Sequence, residues 1–260
     1  MRKSRKRVLT DEEIINLYNK GLSTKEISSR ANVTDRSIRN VLSGNKIEMR
    51  KRGSWIRKYE INEDYFKSWT NNMAYILGFF AADGVINNAV QTVSIAQNEI
   101  EILLRIRDEL NSKHKIYKNK KTGVYQLNIN SIIIKEDLMT LHFLSPNKSF
   151  NLKMPLVPKQ YQSHFFRGYF DGDGCIYKNK RFVNITCGSQ SFIEDLNLLL
   201  SSHEINSRIK SCNNYYRLYV SGLDTEKLFR WMYKDKDLYL ERKYKIFTSN
   251  FKDGDGKGIL

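Results

Sequence analysis

Residues 76–84 read ILGFFAADG, and further along the chain residues 166–174 read FRGYFDGDG. Each segment is a largely apolar run of helical character with a glycine at its third position, and each ends in a small residue, an aspartate and a glycine. A single helix that ends in Asp-Gly is common, but a buried helix has no packing reason to end on a carboxylate. Two copies in two halves of one chain therefore predict an internal repeat that brings two acids together.

The charge of the chain indicates an anionic partner. The 260 residues include 44 Lys and Arg against 28 Asp and Glu, which gives a formal net charge of +16. Such an excess attracts polyanions, and nucleic acid is the first candidate because its binding releases counterions. An anionic membrane is the rival, but no apolar run approaches the roughly 20 residues of a spanning helix, and no signal-peptide pattern is present. We therefore expect a folded soluble protein and exclude membrane insertion and secretion.

The cysteines and histidines show no pattern of a metal or disulfide site. Three cysteines without a C-x-x-C pair indicate neither a disulfide framework nor a thiolate zinc site, so we predict ordinary reduced thiols. Four histidines lack the spacing of metal ligands and are predicted to be structural or solvated, which disfavours a nuclease with a histidine-bound metal. These residues are Cys175, Cys187, Cys212, His114, His142, His164 and His203.

The N-terminal 50 residues contain start signals for three short helices. Thr10 with Glu13 and Ser23 with Glu26 fit the capping box, and Thr34 gives a third start signal after a short turn. This layout is typical of the helix-turn-helix, whose last helix enters the major groove of DNA. A small three-helix packing module is the alternative. In the DNA-binding interpretation, the residues offered to base edges and phosphates are Arg36, Ser37, Arg39 and Asn40.

The remainder of the chain can be read as two matched halves. Each motif segment is followed by a turn, a strand, a helix, paired strands and a further helix. The predicted strands are residues 90–96, 125–130, 182–187 and 216–221, and the closing helices lie around residues 133–143 and 225–233. By segment, we predict a helix-turn-helix domain with a basic arm at 1–50, a basic linker at 51–71, repeats at 72–160 and 161–252, and a disordered tail at 253–260.

Alternation along these strands places hydrogen-bonding side chains on one face of each sheet. A solvated sheet would show the same alternation, so the pattern alone is weak. Together with the lysines and arginines on neighbouring strands and turns, it predicts a concave surface that reads DNA. The residues assigned to this surface are Gln126, Asn128, Asn130, Lys178, Lys180, Arg181, Arg208, Lys210, Arg217 and Tyr219.

The two motif segments suit a pair of closely packed helices. Small residues on one side of each segment allow two helix backbones to approach, and these residues are Gly78, Gly168, Ala82 and Gly172. If the copies pack together, Asp83 and Asp173 meet at the C-terminal helix ends, where the helix dipole disfavours negative charge. A cation would offset that charge. Hard carboxylate oxygens beside phosphate oxygens suit Mg²⁺.

The doubled segment resembles the LAGLIDADG motif of homing endonucleases in their single-chain, two-copy form, and the resemblance covers residues 72–251. It implies an α+β fold in which an αββαββα unit occurs twice about a pseudo-twofold axis, with two saddle-shaped sheets that grip duplex DNA. It also implies Mg²⁺-dependent hydrolysis of phosphodiester bonds, in which each half cuts one strand. The family's metal-binding acids fall on Asp83 and Asp173. Its basic residue near the active site falls on Lys148 and Lys243, with Arg242 as the lesser candidate.

Some positions depart from the family pattern. The first motif has Ala81 where the second keeps Asp171, at a position of capping or packing on which activity is not expected to depend. Arg167 replaces a small residue in the second motif, and a cation there is expected to face the surface or a phosphate, or to mark imperfect packing. Gln97 and Gln190, which flank the sheets, are suggested as further site residues.

Other functions stay open at this point. A regulator that binds DNA without cutting would share the basic surface, although the presence of both aspartates favours the nuclease. An intron maturase would bind structured RNA on the same saddle, and residue types do not exclude it. A nuclease embedded in an intein is disfavoured, because the chain begins with Met1 and a DNA-binding module and shows no splicing residues. We expect a free-standing monomer inside the cell, cytoplasmic or nucleoid-associated in a bacterial or phage setting, or in an organelle.

Overall fold

The structure, a computed structural model, describes residues 6–50, 59–146 and 150–252, apart from the side chain of Lys252. The chain divides into two compact units, Met1–Lys58 and Tyr59–Leu260. Several sequence predictions lie outside the described residues. They concern the basic arm up to residue 5, the linker residues 51–58, Lys148 and the tail at 253–260.

The described part of the first unit contains the three helices that its start signals predict. They are α1 (Asp11–Asn19), α2 (Thr24–Ala31) and α3 (Asp35–Gly44). Both predicted capping boxes are present, and the Thr34 hydroxyl accepts a hydrogen bond from the Ser37 N–H at the start of α3. Asn32 ends α2 in the left-handed conformation with φ 52°, which turns the chain towards α3. The three helices share one hydrophobic core, which includes the buried residues Ile14, Tyr18, Ile27, Ala31, Ile38 and Leu42.

Arg50 ties the end of this unit back onto α1. Its guanidinium donates to the backbone carbonyls of Tyr18, Gly21 and Leu22 and lies 3.9 Å from the centroid of the Tyr18 ring. Carbonyls at the C-terminal end of a helix lack partners within the helix, so a cation there satisfies them and complements the helix dipole. A single side chain thereby caps α1 and anchors the segment that follows α3.

We expect Arg50→Ala to loosen the first unit. Loss of the hydrogen bonds from a charged donor should cost about 1.5–2 kcal/mol and speed amide hydrogen exchange in α1 and α2 by roughly 10- to 30-fold. Hydrogen-exchange mass spectrometry on the full chain measures this directly. Arg30→Ala, which removes an exposed arginine from α2, serves as the control and should leave exchange near the wild-type rate. Equal exchange in the two variants would contradict the capping role.

The second unit contains two copies of one order of elements, which confirms the predicted α+β repeat. The first copy comprises α4 (Asn71–Asp83), β1 (Gly84–Ile86), β2 (Thr92–Gln97), α5 (Ile100–Glu109), β3 (Ile116–Lys118), β4 (Tyr125–Asn130) and α6 (Ile132–Thr140). The second comprises α7 (Gln162–Asp173), β5 (Gly174–Ile176), β6 (Phe182–Cys187), α8 (Gln190–Ser202), β7 (Arg208–Cys212), β8 (Tyr215–Ser221) and α9 (Leu223–Tyr233). A further helix, α10 (Glu241–Lys252), follows the second copy.

Each copy forms one antiparallel four-stranded sheet, with the strand orders β1-β2-β4-β3 and β5-β6-β8-β7. The register sorts the side chains as the alternation predicts. Ile95 pairs with Leu127 in the first sheet and Ile185 pairs with Leu218 in the second, and all four are buried. The helices α4 and α7 lie within one apolar core that both sheets share. The sheets therefore present their polar faces outward, away from the helices.

Three elements escape the sequence prediction, for two different reasons. The strands β1 and β5, placed where a turn was predicted, have only three residues each, too few to show a periodicity. The helix α10 was not predicted as a separate element, although Tyr244, Phe247 and Phe251 recur at the helical spacing of three to four residues. All three pack on the core of the second unit.

The predicted linker is also shorter than expected. From Tyr59 onward the chain belongs to the second unit, where Phe66 is buried in the core and the N–H of Asn62 donates to the carbonyl of Leu110. The prediction that residues 59–71 belong to a linker is thus wrong. The basic and polar composition of this stretch gave no indication that Phe66 would be buried. None of the helices in the described ranges combines the length and apolar character that crossing a bilayer requires.

Candidate functional site

The two motif helices pack against each other through their glycines. A Cβ at Gly78 would collide with the carbonyl oxygen of Phe165 and lie 2.8 Å from the backbone nitrogen of Tyr169. A Cβ at Gly168 would likewise collide with the carbonyl oxygen of Tyr75. The obstructing atoms are backbone, so neither side can yield. The backbones of α4 and α7 therefore touch along their glycine sides, as the spacing in both motifs requires.

This packing brings the two motif acids into one place. Asp83 and Asp173 end their helices and line the same cleft of about 520 Å³, in which Asp83 is half-buried and Asp173 is exposed. A Cβ at Gly172 would collide with the Cβ of Ala82 and lie 3.2 Å from Oδ2 of Asp83. The small residues before the acids thus leave the space beside the Asp83 carboxylate open. Carboxylates from two repeats face one cleft at the negative ends of two helix dipoles.

The two halves of the cleft differ in chemistry. Gln97, the last residue of β2, donates from Nε2 to Oδ2 of Asp83 at 2.6 Å. Its counterpart at the end of β6 is Cys187, because Gln97 pairs with Tyr125 and Cys187 pairs with Tyr216 in equivalent registers. The cleft also includes this thiol. The first acid is therefore held by an amide for which the second repeat has no equivalent.

Tyr169 is a site residue that sequence reasoning missed. It lines the cleft from the second motif helix, and its buried hydroxyl lies beside the Asp173 carboxylate and the Cys187 thiol. Burial and the nearby carboxylate of Asp173 raise the pKa of this phenol well above its usual value. The signal was available in the alignment of the motifs, since the first motif has the apolar Phe79 at the same position.

Lys243 occupies a different position from the one predicted for a catalytic lysine. Its amine is buried and donates to the carbonyls of Phe170, Asp171 and Gly174 at 2.7, 2.7 and 2.6 Å. An ammonium has only three donors, and all three serve the C-terminal end of α7. Burial lowers the pKa of Lys243 to about 8, against the opposing attraction of Asp171 and, more weakly, of Asp83 and Asp173. Lys243, predicted as the basic residue near the active site, thus caps the helix that carries Asp173, and its three donors do not face the cleft.

Arg167 is likewise buried, which corrects the expectation that it faces the surface or a phosphate. Its guanidinium donates to the carbonyls of Leu238 and Met232 and to Nδ1 of His164, in the interior behind the motif helix. Together with burial, the cation lowers the pKa of His164 to about 4, so the ring stays neutral. The arginine fixes the loop before α10 rather than marking poor packing.

Asp171 completes this internal support with a packing and capping role, as the sequence suggested. Its Oδ2 accepts from the Tyr75 hydroxyl at 2.9 Å and from the Leu240 N–H at 2.8 Å. Burial raises the pKa of Asp171 to about 6, although Lys243 and the two hydrogen bonds oppose that shift. Arg167, Asp171 and Lys243 thus join α7 to the chain segment that leads into α10.

The remaining predicted residues near the cleft are placed as follows. Lys148 lies outside the described residues, while Ser145 in the same segment lines the cleft. Arg242 is exposed and pairs with Glu99 at 3.1 Å. Gln190 donates to Glu194 and accepts from the Tyr216 hydroxyl.

The residues predicted to contact DNA lie on outer surfaces. Gln126 and Asn128 are joined by a hydrogen bond of 2.9 Å on the outer face of the first sheet, and Asn130 accepts from Thr92 on the same face. On α3 the side chains of Arg36, Arg39 and Asn40 are exposed, with Arg39 paired to Asp35. The Ser37 hydroxyl instead shares a hydrogen bond with Thr34 at the helix start. The lysines and arginines of the second sheet are exposed or half-buried.

A divalent metal fits this donor set only with help from a ligand. Within the described residues, no group of three or more His, Cys, Asp or Glu side chains could hold a metal ion. The protein therefore offers two carboxylates, Asp83 and Asp173, and an open space beside the first of them. Mg²⁺ is typically bound by one or two carboxylates, with water and substrate phosphates as its other ligands. The residues fit such an ion when phosphate oxygens enter the cleft.

Comparisons with known proteins give the same fold. The chain is similar to the homing endonuclease I-WcaI, solved bound to its DNA recognition sequence, with a TM-score of 0.51 and 15% identity over 71% of this chain and 91% of that one. It is also similar to full-length DUF199/WhiA from Thermatoga maritima, with a TM-score of 0.50 and 15% identity over 76% of this chain and 67% of that one. At such identities the likeness concerns the fold alone.

Sequence comparison adds a curated relative and a family. The probable translation initiation factor IF-2 of Methanocaldococcus jannaschii is 26% identical over 253 residues, which cover 86% of this chain and 21% of that protein. The chain thus spans about a fifth of that relative's length. A family profile described as a LAGLIDADG-like domain matches residues 70–138 and 160–230, one stretch in each repeat and more than half of the chain. This chain belongs to the family of LAGLIDADG-like domains.

Proposed function

We propose that the chain is a site-specific double-strand DNA endonuclease that requires a divalent metal, most simply Mg²⁺, and acts as a monomer. One observation carries the proposal: Asp83 and Asp173, from two repeats, line one cleft at the ends of two helices whose backbones touch. A carboxylate pair at negative helix ends is costly without a cation, and structural packing gives no reason to place it there. Both acids stand on one chain, so a second subunit is not needed to complete the pair.

The residues of the cleft would have two roles: some would bind the metal, and others would position the metal-binding acids. Asp83 and Asp173 would hold the metal, which when bound activates water and stabilises charge on the leaving 3′ oxygen. Gln97 fixes the orientation of Asp83 through its hydrogen bond of 2.6 Å. Lys243 fixes the end of the helix that carries Asp173. Rigid support of this kind matters because misplacement of a reacting group by about 1 Å can cost on the order of 100-fold in rate.

Duplex DNA is the proposed substrate because two polar outer sheet faces flank the cleft on a chain of charge +16. The neighbour I-WcaI was solved bound to its DNA recognition sequence, which supports the same partner for this fold. In the first unit, α3 would act as the recognition helix of a helix-turn-helix module, with Arg36, Arg39 and Asn40 exposed along it. That module would add contacts to those made by the sheets.

The test begins with binding and ends with cutting. The full chain is used to select bound fragments from a random duplex library in EDTA, and the selected pool is then incubated with Mg²⁺ or with EDTA. We expect strand breaks at one site, in both strands, only with Mg²⁺. Selective binding without breaks in Mg²⁺ or Mn²⁺ would contradict the nuclease and favour a regulator that binds DNA. Stronger binding to structured RNA than to duplex would contradict the substrate and favour a maturase.

A further inference from the structure

The outer face of the second sheet carries three cations at neighbouring positions. Lys210 lies directly opposite Arg217 in the register of β7 and β8, and Arg208 lies opposite Tyr219, the next residue on that face. Like charges directly opposite each other destabilise a sheet. None of the three has an acid within ion-pair distance among the described residues, and Nε of Arg217, shielded from solvent, has no hydrogen-bond partner there. Arg217 lies 5.1 Å from the centroid of the Tyr215 ring, so aromatic side chains contact this cluster while its charge stays available to an external anion.

In contrast, several cations on or next to the helices of the second unit form ion pairs with acids. Arg105 of α5 pairs with Asp237 at 2.6 Å, and Arg230 of α9 pairs with Glu226 at 2.8 Å. Lys113, which follows α5, pairs with Glu60 at 3.1 Å. On the described helices of the second unit, several exposed cations are thus offset by acids, in contrast to the three cations of the sheet.

A preformed turn extends the same surface. Residues 177–181 join β5 to β6 and carry Lys178, Lys180 and Arg181, all exposed. Asn250 of α10 holds this turn with three hydrogen bonds: it accepts from the Asn179 N–H at 2.7 Å and donates to the carbonyls of Tyr177 and Lys180, both at 2.9 Å. A neutral side chain thus fixes the backbone and leaves the cations of the turn available to an anion.

The first sheet lacks an equivalent. Every outward residue within its described strands is uncharged: Val85, Thr92, Ser94, Ala96, Tyr117, Gln126, Asn128 and Asn130. Cations lie at the edge of this surface: Lys115 precedes β3, and Lys120 and Lys121 are exposed in the turn between β3 and β4. The turn between β1 and β2 contains no cation, and the lysine that holds it, Lys135, donates inward to the carbonyls of Asn87 and Val90 at 2.6 and 3.0 Å. Equivalent turns are therefore fixed by a cation in one repeat and by an amide in the other.

The geometry points to a division of labour between the two sheets. The second sheet and its turn form a phosphate anchor, defined as Lys178, Lys180, Arg181, Arg208, Lys210 and Arg217, that supplies most of the electrostatic affinity for duplex DNA. The first sheet makes uncharged contacts that discriminate between sequences. This division rests on the proposed function for the identity of the ligand, but it does not depend on cleavage.

The salt dependence of binding tests the division. The full chain is titrated with a short duplex of random sequence in EDTA, at about 50 to 200 mM salt, where each phosphate contact adds about 0.9 to the log–log slope. Replacing Arg208, Lys210 and Arg217 with Gln should lower the slope by about 2 to 3 and the affinity on the order of 100-fold at about 0.1 M salt. The control replaces Arg105, Lys113 and Arg230 with Gln. It removes the same charge from ion-paired positions away from the sheet and should leave the slope unchanged.

Three further variants test the assignment. Asn250→Ala should weaken binding several-fold without any change in charge, and an unchanged affinity would remove the turn from the anchor. Replacing Gln126, Asn128 and Asn130 with Ala should keep the slope and reduce the preference for selected over random duplex.

The division between the sheets would be overturned by one result in particular. Replacing Lys115, Lys120 and Lys121 with Gln would then lower the slope as much as the replacement of Arg208, Lys210 and Arg217 does. Tighter binding to a structured RNA would overturn the partner, and failure of the wild type to bind any duplex would instead refute the proposed function.

Discussion

Asp83→Asn and Asp173→Asn should each slow DNA cleavage at least about 100-fold and leave DNA affinity in EDTA close to that of the wild type. Asparagine keeps the shape of the side chain but removes the charge that would hold the metal, and loss of one preorganised electrostatic group costs on the order of 100- to 1,000-fold in rate. The expected effect is on kcat, because the acids lie in the cleft rather than on the outer sheet faces.

The measurement is single-turnover cleavage of a selected duplex in Mg²⁺, with each strand followed separately. Asp108→Asn provides the matched control, since it neutralises an exposed acid on α5 that pairs with Arg107, and this variant should cut at the wild-type rate. Tight DNA binding by all three variants would show that the loss in the first two is chemical. Cleavage that survives in the variant lacking both motif aspartates would refute the assigned mechanism.

Gly168→Ala should destabilise the second unit by about 2 kcal/mol, a large effect for the addition of one methyl group. The new Cβ would collide with the Tyr75 carbonyl oxygen and lie 3.0 Å from the backbone nitrogen of Phe79, so the two helices must separate along their whole contact. Overpacking of a core typically costs about 1–3 kcal/mol, and backbone obstruction places this site at the upper end. The gain in helix propensity from glycine to alanine, about 1 kcal/mol, offsets only part of that cost.

Urea unfolding of the full chain, followed by tryptophan fluorescence, reports this loss through Trp231 in the second unit. Gly44→Ala is the control, because a Cβ at the end of α3 would meet nothing within 4 Å. We expect a clearly lower unfolding midpoint for Gly168→Ala and little change for Gly44→Ala. A wild-type midpoint for Gly168→Ala would mean that the motif helices are not in backbone contact.

Much of this architecture could be predicted from local patterns. The capping boxes at Thr10 and Ser23 determine helix starts through contacts over three residues, and these are visible in any sequence window. Strand alternation assigned the buried face correctly at Leu127 and Leu218, since a period of two is a local property. The repeated Asp-Gly endings indicated two related helices. Such features do not depend on the distant parts of the chain.

The environment of the site could not be predicted in the same way. Lys243 was predicted as the basic residue near the active site because its segment resembles the family's, yet its three donors are occupied by carbonyls about 70 residues earlier in the sequence. Arg167 was expected to face the surface or a phosphate, but its guanidinium is buried and donates to the carbonyl of Leu238 in a distant loop. Whether a charged side chain is buried depends on partners that are distant in sequence, and composition carries no information about them.

The difference between the residues beside Asp83 and those beside Asp173 could not be predicted for the same reason. Gln97 and Cys187 occupy equivalent strand ends, but only the strand register makes that equivalence visible. Gln190, which the sequence suggested as a partner of the site, instead contacts Glu194 and Tyr216. An alignment of motifs alone could not distinguish Gln97, which contacts a motif acid, from Gln190, which contacts Glu194.

The binding of Mn²⁺ to the complex with DNA tests the central claim most directly. Electron paramagnetic resonance counts the ions held by the full chain on a selected duplex, after subtraction of those held by the duplex alone. The account predicts that the wild-type complex holds Mn²⁺ that is lost when Asp83 and Asp173 are both replaced by Asn, with the DNA still bound. An unchanged number of tightly held ions in that variant would contradict it.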